Sequence, residues 1–447
     1  MIGECPLIMR KDYLFKLCIG ILPVLGFSCQ SARKMATVRE QPLPIPGLAN
    51  AHTGICVMDL STGKYLYNYQ GDKYFIPASN TKLLTCYTAM KYLGDSLDGI
   101  EVIETQNALQ LLPTGDPTLL HPDFPHQPVY DFLRNATKPL QASVLPWKET
   151  AWGTGWSWSD YTDDYMAERS ALPVYGNLLT VNGRGNNKQI VPAAFGAMLI
   201  GDDQTGYINS LQRSLHANSF IYTATGKTDK LFTTPFITGD SLNMQLLADT
   251  LHRAIQWLHA LDDSAAPRSQ DKRYVIHSQP VDSLLRIMMH RSDNFYAEQT
   301  LLMCARKRLH DMRTAPVIQA MLEADYKDMP QRPRWVDGSG LSRYNLVTPQ
   351  DFVWLLGQMK ASFSWQRITA ILQTGDAGTL TGYYKAYAGR IYAKTGTLSN
   401  NIALSGYLLT RKNKMLAFSV LVNNHQVATS VIRRGVEQFL TDIIEKN

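Results

Sequence analysis

Ser79 and Lys82 stand three residues apart at the head of an apolar run, PASNTKLLTCYTAM, and two more short motifs follow far along the chain: Ser292-Asp293-Asn294 and Lys394-Thr395-Gly396-Thr397. Each has an ordinary reading alone. The first is a helix start, the second a helix cap, the third a strand running into a turn. Taken together and in this order, they demand a fold that carries a helix terminus, a helix junction and a strand edge to one point. The periodicity predicts a helix from about Ser79. Leu83, Tyr87, Met90 and Gly94 fall at i, i+4, i+7 and i+11, which gives one buried stripe. Ser79 then lies at the helix N-terminus, where backbone N–H groups are unpaired and the dipole favours negative charge.

The residue types suit nucleophilic catalysis. A serine hydroxyl attacks poorly until a neighbouring base takes its proton. A lysine one turn on can do so only if burial and a second cation depress its pKa. Lys394, on a facing strand, is expected to be that cation. Ser292 is expected to bridge the two lysines and relay a proton to the leaving amine, with Asn294 holding the substrate's amide carbonyl. An edge strand bearing Lys394 to Thr397 can pair with an extended peptide through its backbone, and Gly396 permits the close approach. The backbone N–H groups of Ser79 and Thr397 would form the oxyanion hole.

At 447 residues the chain exceeds what one core usually holds. Residues 52–70 read as a hairpin about Ser61, Thr62 and Gly63. From about 105 to 270 the chain is richer in Pro, Trp and Asn and reads as a mostly β insert of one or two subdomains. Helical patterning returns at about 279. The runs RIYAKTGTL, NIALSGYLLT and MLAFSVLVN then read as strands, the last two joined by the turn RKNK, and an amphipathic helix spans about 427–443. Short turns between successive strands imply an antiparallel sheet, covered by helices from both ends of the chain in an α+β arrangement. The divisions are 30–105 and 273–447 for the two parts of the main domain and 106–272 for the insert.

Arg10, Lys11 and Lys16 precede the apolar segment LCIGILPVLGF, so residues 1–29 read as an export signal, with Met9 an alternative start. The segment is too short to span a bilayer, which takes about 20 apolar residues. Cys29 raises lipid attachment as a bacterial lipoprotein. The lipobox leucine usually lies three residues before the cysteine; here that position is Gly26, and Leu25 is one further back. Of six cysteines, Cys56, Cys86 and Cys304 lie beyond the signal, so at most one internal disulfide can form. The histidines are dispersed and CxxC and HExxH are absent, so neither a metal site nor a cofactor is expected. The formal charge of +6 is spread without a basic run, which argues against nucleic acid as a partner.

Beyond the three motifs, the segments VMDLSTGKYLYNYQGDKYFIPASNTKLLT, TGDPTL, GTGWSWSDY, RSDNFYAEQTLL, DGSGLSRYN and YAKTGTLSNNIALSGYL carry a family likeness. From about residue 52 onward the chain resembles the class C low-molecular-weight penicillin-binding proteins, D-alanyl-D-alanine carboxypeptidases/endopeptidases of peptidase family S13. The resemblance implies a penicillin-binding, transpeptidase-like domain with an insert between the first two motifs. It implies acylation at Ser79, Lys82 as general base, and Ser292, Asn294 and Lys394 completing the site. Peptidoglycan stem peptides would be the substrates, β-lactams the inhibitors, and the periplasm the location, with or without a lipid at Cys29. Trp158 and Asp160 would meet the amino end of a diaminopimelate side chain and Arg343 its carboxylate. Leu398 would be an apolar wall and Thr395 a ligand of the terminal carboxylate. The competing reading makes Trp156 and Trp158 core aromatics on a strand, Asp160 a turn residue and Arg343 a surface charge. Asp337 to Gly340 is expected to be a structural turn, and His290 and Cys86 to serve packing or the surface. The separation of the first two motifs, 292 − 79 = 213 residues, leaves room for the insert but is short for two nested domains. A class A β-lactamase would need a deacylating glutamate between the second and third motifs; the closest lookalike, Glu168, precedes the second. The alternatives are a serine β-lactamase of unusual layout and a non-catalytic wall-binding protein.

Overall fold

Alternation along His52–Asp59 sends Ile55 and Val57 to one face and Cys56 to the other, and all three are fully buried. A strand buried on both faces belongs inside a layered fold. In the computed structural model, which describes residues 43–143, 147–183, 188–201, 210–223, 231–258 and 271–447, this strand is β1 and forms the expected hairpin with β2 (Tyr65–Tyr69). The export signal and Cys29 lie outside the described residues. Helix α1 (Lys82–Tyr92) follows. Every residue from Lys82 to Met90 is buried, so the helix has no solvent face and the single stripe read from the sequence is corrected. The sheet and neighbouring helices together cover it, so its apolar side chains are not confined to one stripe. Leu93 caps α1, and Gly94, placed on the helix by periodicity, sits in a left-handed turn beyond it (φ 73°).

The insert begins and ends on neighbouring strands. Strands β3 (Ser96–Glu104), β4 (Leu109–Leu112) and β5 (Leu140–Ser143), with helix α2 (Pro128–Asn135) before β5, start its largest sheet. β6 (Leu178–Asn182) and β7 (Gln189–Val191) pair with each other, as do β8 (Leu199–Gly201), β9 (Ser210–Arg213) and β10 (Phe220–Thr223) in a second small sheet. β11 (Phe232–Pro235) joins β6, and α3 (Asp240–Leu251), β12 (Ile255–Leu258) and β13 (Lys272–Pro280) complete the region. The large sheet runs β12-β5-β4-β3-β13, with β3 antiparallel to β13 and β4 parallel to β5. Ser96 pairs with Pro280, and the Val281 N–H donates to the Asp95 carbonyl at 2.9 Å. This pairing draws residues 96–104 and 273–280 into the insert's sheet. The insert has its own core, with Ile100, Val102, Leu133, Val174, Phe220 and Leu247 at its centre.

The chain then builds helices α4 (Val281–Arg291), α5 (Asn294–Leu309), α6 (Thr314–Glu323), α7 (Pro349–Ser362) and α8 (Trp365–Ile371). Strands β14 (Gln373–Thr374), β15 (Ile391–Leu398), β16 (Asn401–Leu409) and β17 (Met415–Asn423) precede the terminal helix α9 (Thr429–Lys446). They complete a six-stranded antiparallel sheet, β14-β15-β16-β17-β1-β2, with the 411–414 turn between β16 and β17. One face packs on α9 through Ile391, Leu404, Phe418, Ile432 and Val436. The other contributes to the core it shares with α1, α4, α5 and α7, which holds Ala403, Tyr407, Leu84, Met288, Leu301 and Leu356. The α+β arrangement read from the sequence is therefore present, with α1 buried between sheet and helices. Cys56, Cys86 and Cys304 are buried free thiols.

Candidate active site

Ser79 sits in a 3-10 turn, Ala78–Thr81, and the α-helix begins only at Lys82. Ala78 holds a left-handed backbone (φ 48°), a costly conformation for a residue with a Cβ, and the Thr81 hydroxyl donates to its carbonyl at 2.9 Å. The turn lies against β15. A Cβ on Gly396 would come within 2.8 Å of the Pro77 carbonyl oxygen and 3.1 Å of the Asn80 nitrogen, so only glycine lets the two segments approach. Asn80 ties them together. Its amide nitrogen donates to the Lys394 carbonyl at 2.8 Å and its oxygen accepts from the Ser405 N–H at 3.1 Å.

Lys82 is fully buried and its Nζ has three neighbours: Ser79 Oγ at 3.0 Å, Asn294 Oδ1 at 2.6 Å and the Ser339 carbonyl at 2.8 Å. Two of these are carbonyl oxygens that can only accept. They take two N–H bonds, so the third tetrahedral position points at Ser79. In the ammonium form that position is an N–H; in the neutral amine it is the lone pair, aimed at the serine's proton. Burial brings the Lys82 pKa down to about 8, against the opposing pull of Asp293, Asp337 and Glu298.

The second motif is a helix junction. Ser292 ends α4 in a left-handed conformation (φ 62°), and the Asp293 side chain caps α5 by accepting from the Tyr296 N–H at 2.8 Å. Cap and site are therefore one structure, which aims Ser292 and Asn294 inward. Lys394 Nζ donates to Ser292 Oγ at 2.9 Å and to the Thr395 carbonyl at 2.7 Å. Burial, and then the charge of Lys82, hold the Lys394 pKa well below the ordinary lysine range. One sequence expectation changes here: Ser292 is bonded to Lys394 rather than spanning both lysines, because Ser79, Asn294 and Ser339 fill the three positions on Lys82. Burial is the first cause of the depression at both lysines, and their mutual repulsion disfavours two charges at once.

Only Tyr392 and Ala393 of β15 are covered by β14. Among the described residues, no strand pairs with the outer edge from Lys394 to Leu398. The Leu409 N–H donates to the Arg390 carbonyl, and the register carries on without a bulge through Leu398↔Asn401. That parity turns the backbone N–H groups of Thr395 and Thr397 away from β16, toward the open edge.

Around this centre lie the remaining predicted residues. Trp158–Asp160 form a 3-10 turn, not a strand, and Trp158 is 68% exposed, so the core-aromatic reading does not hold for it. Trp156 donates through Nε1 to Asp337 Oδ2 at 2.9 Å. The Tyr165 carbonyl accepts from Asn294 Nδ2 at 3.0 Å, while burial and the nearby carboxylates of Asp160 and Asp163 push the Tyr165 hydroxyl's pKa up. Arg343 is exposed and donates to the Ser399 carbonyl at 3.3 Å; Leu398 is half-buried at the end of β15. Among the described residues, neither has a hydrogen bond or ion pair with Ser79 or either lysine.

Sequence reasoning missed four participants. The 337–340 segment is more than a turn, since Ser339 supplies a carbonyl to Lys82 and Gly338 another to the Thr85 hydroxyl (2.6 Å). Glu298, one helical turn after Asn294 on α5, accepts from the Ser339 N–H at 2.7 Å; the i, i+4 spacing was the available signal. Thr379 Oγ1 lies 2.5 Å from Thr395 Oγ1. Arg433 of α9 donates to Thr397 Oγ1 at 2.9 Å and forms no ion pair among the described residues. Glu168 is spent in the insert, where it accepts from Thr238 and faces Arg213.

Comparison with known proteins bears on family and fold. The sequence profile described as the D-Ala-D-Ala carboxypeptidase 3 (S13) family matches residues 35–443. A D-alanyl-D-alanine carboxypeptidase of Actinomadura sp. (strain R39) is 27% identical over 91% of this chain and 84% of its own length. The fold is similar to that of penicillin-binding protein 4 from Haemophilus influenzae (TM-score 0.71, 18% identity, 90% of this chain and 98% of that one), which has also been solved with a β-lactam. It is also similar to a predatory peptidoglycan endopeptidase from Bdellovibrio bacteriovorus (TM-score 0.50, 15% identity, 89% of this chain and 93% of that one).

Proposed function

This chain belongs to the D-Ala-D-Ala carboxypeptidase 3 (S13) family and is a serine-type carboxypeptidase/endopeptidase; from that premise we propose that it cleaves D-alanyl bonds of peptidoglycan stem peptides through an acyl-enzyme on Ser79. The observation that carries the reading is the pair of accept-only carbonyls on Lys82, which leaves its third position for Ser79.

Neutral Lys82 takes the Ser79 proton as Oγ bonds to the carbonyl carbon of the penultimate D-alanine. The stem peptide lies extended along the open edge of β15. Charge developing on the carbonyl oxygen is met by the N–H groups of Ser79 and Thr397, of which the second already faces the edge. The C–N bond then breaks, and the leaving nitrogen receives a proton through Ser292, which Lys394 holds. Water hydrolyses the ester, releasing the shortened peptide and restoring Ser79. A β-lactam follows the same path to acylation. The carboxylates nearest Lys82 are engaged elsewhere: Asp293 caps α5, Asp337 accepts from Gly340, Ser342 and Asn345, and Glu298 accepts from Ser339. That arrangement supports a slowly hydrolysed penicilloyl ester and inhibition by penicillin.

For the stem peptide's third residue, Trp158 and Asp160 would receive an amino terminus and Arg343 a carboxylate, with Leu398 as the apolar wall. Thr395, Gly396 and Thr397 would align the leaving residue. Export through residues 1–29 to the periplasm, with lipid on Cys29 as a possible anchor, belongs to the same proposal. No helix among the described residues is long and apolar enough to cross a membrane. Labelling with a fluorescent penicillin is expected for the wild type and lost in Ser79→Ala, alongside mass spectrometry of products from a defined cross-linked muropeptide. A folded wild type that neither labels nor cleaves would overturn the reading.

A further inference from the structure

We propose that Glu298 is a positioning residue for acylation: it fixes the Ser339 peptide so that the Ser339 carbonyl holds Lys82 at Ser79, and its negative charge favours the protonated form of that lysine. The inference rests on Lys82 being the base, as argued above.

The geometry starts from one helix face. Asn294 and Glu298 lie one turn apart on α5, and both reach Lys82, the first directly and the second through the backbone of Ser339. Asn294 Oδ1 accepts from Lys82 Nζ at 2.6 Å. Glu298 Oε1 accepts from the Ser339 N–H at 2.7 Å, and the Ser339 carbonyl accepts from Lys82 Nζ at 2.8 Å. The Ser339 N–H shares its planar peptide unit with the Gly338 carbonyl, which accepts from the Thr85 hydroxyl at 2.6 Å, so Glu298 and Thr85 pin that plane from both sides and limit the freedom of the residue that delivers the Ser339 carbonyl. The rest of the loop is anchored by Asp337, which accepts from the N–H groups of Gly340 (2.9 Å) and Ser342 (2.7 Å).

Glu298 is 1% exposed, and an isolated carboxylate at that depth would be expensive to keep ionised. A cation has been brought to it. Arg169 Nη1 lies 3.5 Å from Glu298 Oε2, and Arg169 is itself buried and held by the Thr150 carbonyl (2.9 Å), the Trp152 carbonyl (3.0 Å) and Glu149 (3.3 Å). Glu149 in turn accepts from the N–H and hydroxyl of Thr314, both at 2.7 Å. The charged groups facing Glu298 are Arg169 from the insert, Asp337 from the 337–340 loop and Lys82 from α1. Those facing Lys82 are Asp293, Asp337, Glu298 and, from β15, Lys394. Burial and Asp337 push the Glu298 pKa up to about 7, with Arg169 opposing them. Its charge therefore changes in the range where Lys82 must give up a proton.

Two substitutions separate the two roles. Glu298→Gln keeps an oxygen for the Ser339 N–H and removes the charge. Glu298→Asp keeps the charge and shortens the reach. Both are tested on the full chain by measuring the rate of acylation by a fluorescent penicillin from pH 5 to 10, with melting temperature confirming the folded state. In Glu298→Gln the rising limb of the profile is expected to move down by about one pH unit, as when an opposite charge near a lysine is removed. In Glu298→Asp the limb is expected to stay, while the plateau falls about tenfold or more through misplacement of Lys82. An unmoved limb in Glu298→Gln overturns the charge role, and a wild-type plateau in Glu298→Asp overturns the positioning role. A wild type that does not acylate at any pH overturns the underlying function instead.

Discussion

Gly340→Ala is expected to cripple acylation although Gly340 touches neither lysine. Gly340 has φ 83°, and a Cβ built there lies 1.9 Å from the Ala78 carbonyl oxygen, 2.6 Å from the Ala78 carbonyl carbon and 2.8 Å from Thr81 Oγ1. The obstacle is backbone, so no side-chain rotation relieves it. Ala78 already occupies a left-handed conformation and is covalently joined to Ser79, so the displaced carbonyl carries the nucleophile with it. A shift of about 1 Å at the reacting atom is enough to slow the chemistry by about 100-fold. The left-handed backbone alone costs an alanine about 1–2 kcal/mol. Gly63→Ala is the matched control. Gly63 has φ 67° and open space around its Cβ position, in the turn between β1 and β2. Both variants are expected to melt at lower temperature, but only Gly340→Ala should lose acylation, read as the second-order rate of β-lactam labelling at 25 °C on folded protein. Wild-type acylation by Gly340→Ala would refute the claim that this crowding holds Ser79 in place.

On the proposed mechanism acylation is also expected to rise with pH, because neutral Lys82 would take the Ser79 proton and burial brings its pKa down to about 8. Between pH 6 and pH 8 the neutral fraction grows about 50-fold, so stopped-flow labelling should climb steeply there and flatten above about pH 9. A flat profile across that range would remove Lys82 as the base. Arg433→Gln is expected to raise KM about tenfold for a peptide ending in D-alanyl-D-alanine, the scale of one charge-assisted hydrogen bond. The same peptide with a C-terminal carboxamide should lose little, and equal losses on both would show that Arg433 does not recognise the carboxylate.

The site was legible where function and local structure coincide. The residues around Ser79 read as a helix start, Ser292-Asp293 as a cap and Lys394 to Thr397 as a strand, and all three readings describe real elements. Their meeting at Lys82 was legible only because the chemistry of serine and lysine demands partners. What stayed hidden depends on long-range packing. The Ser339 carbonyl and the Asn80 bridge use backbone groups or orientations that no residue type announces. Nothing in the sequence sets Glu298 apart from other charges on helices; its burial and its pairing with Arg169, 129 residues earlier in the chain, depend on the fold. The edges of the insert were blurred because β3 and β13 find each other across more than 160 residues. The full burial of α1 escaped as well, since an apolar periodicity reports one face and says nothing about what covers the others.

The hydrogen bond from Val281 to Asp95 makes the long excursion between them behave mechanically like a hairpin. The catalytic half sees two anchored ends side by side, whatever length of chain hangs between them. Its closure entropy is settled locally, so insertions and deletions farther out cost little. The insert nevertheless returns Arg169 to Glu298 and Tyr165 to Asn294. Changes of length far out in this appendage therefore leave the paired ends undisturbed, and Arg169 and Tyr165 tie it to α5 at two further points.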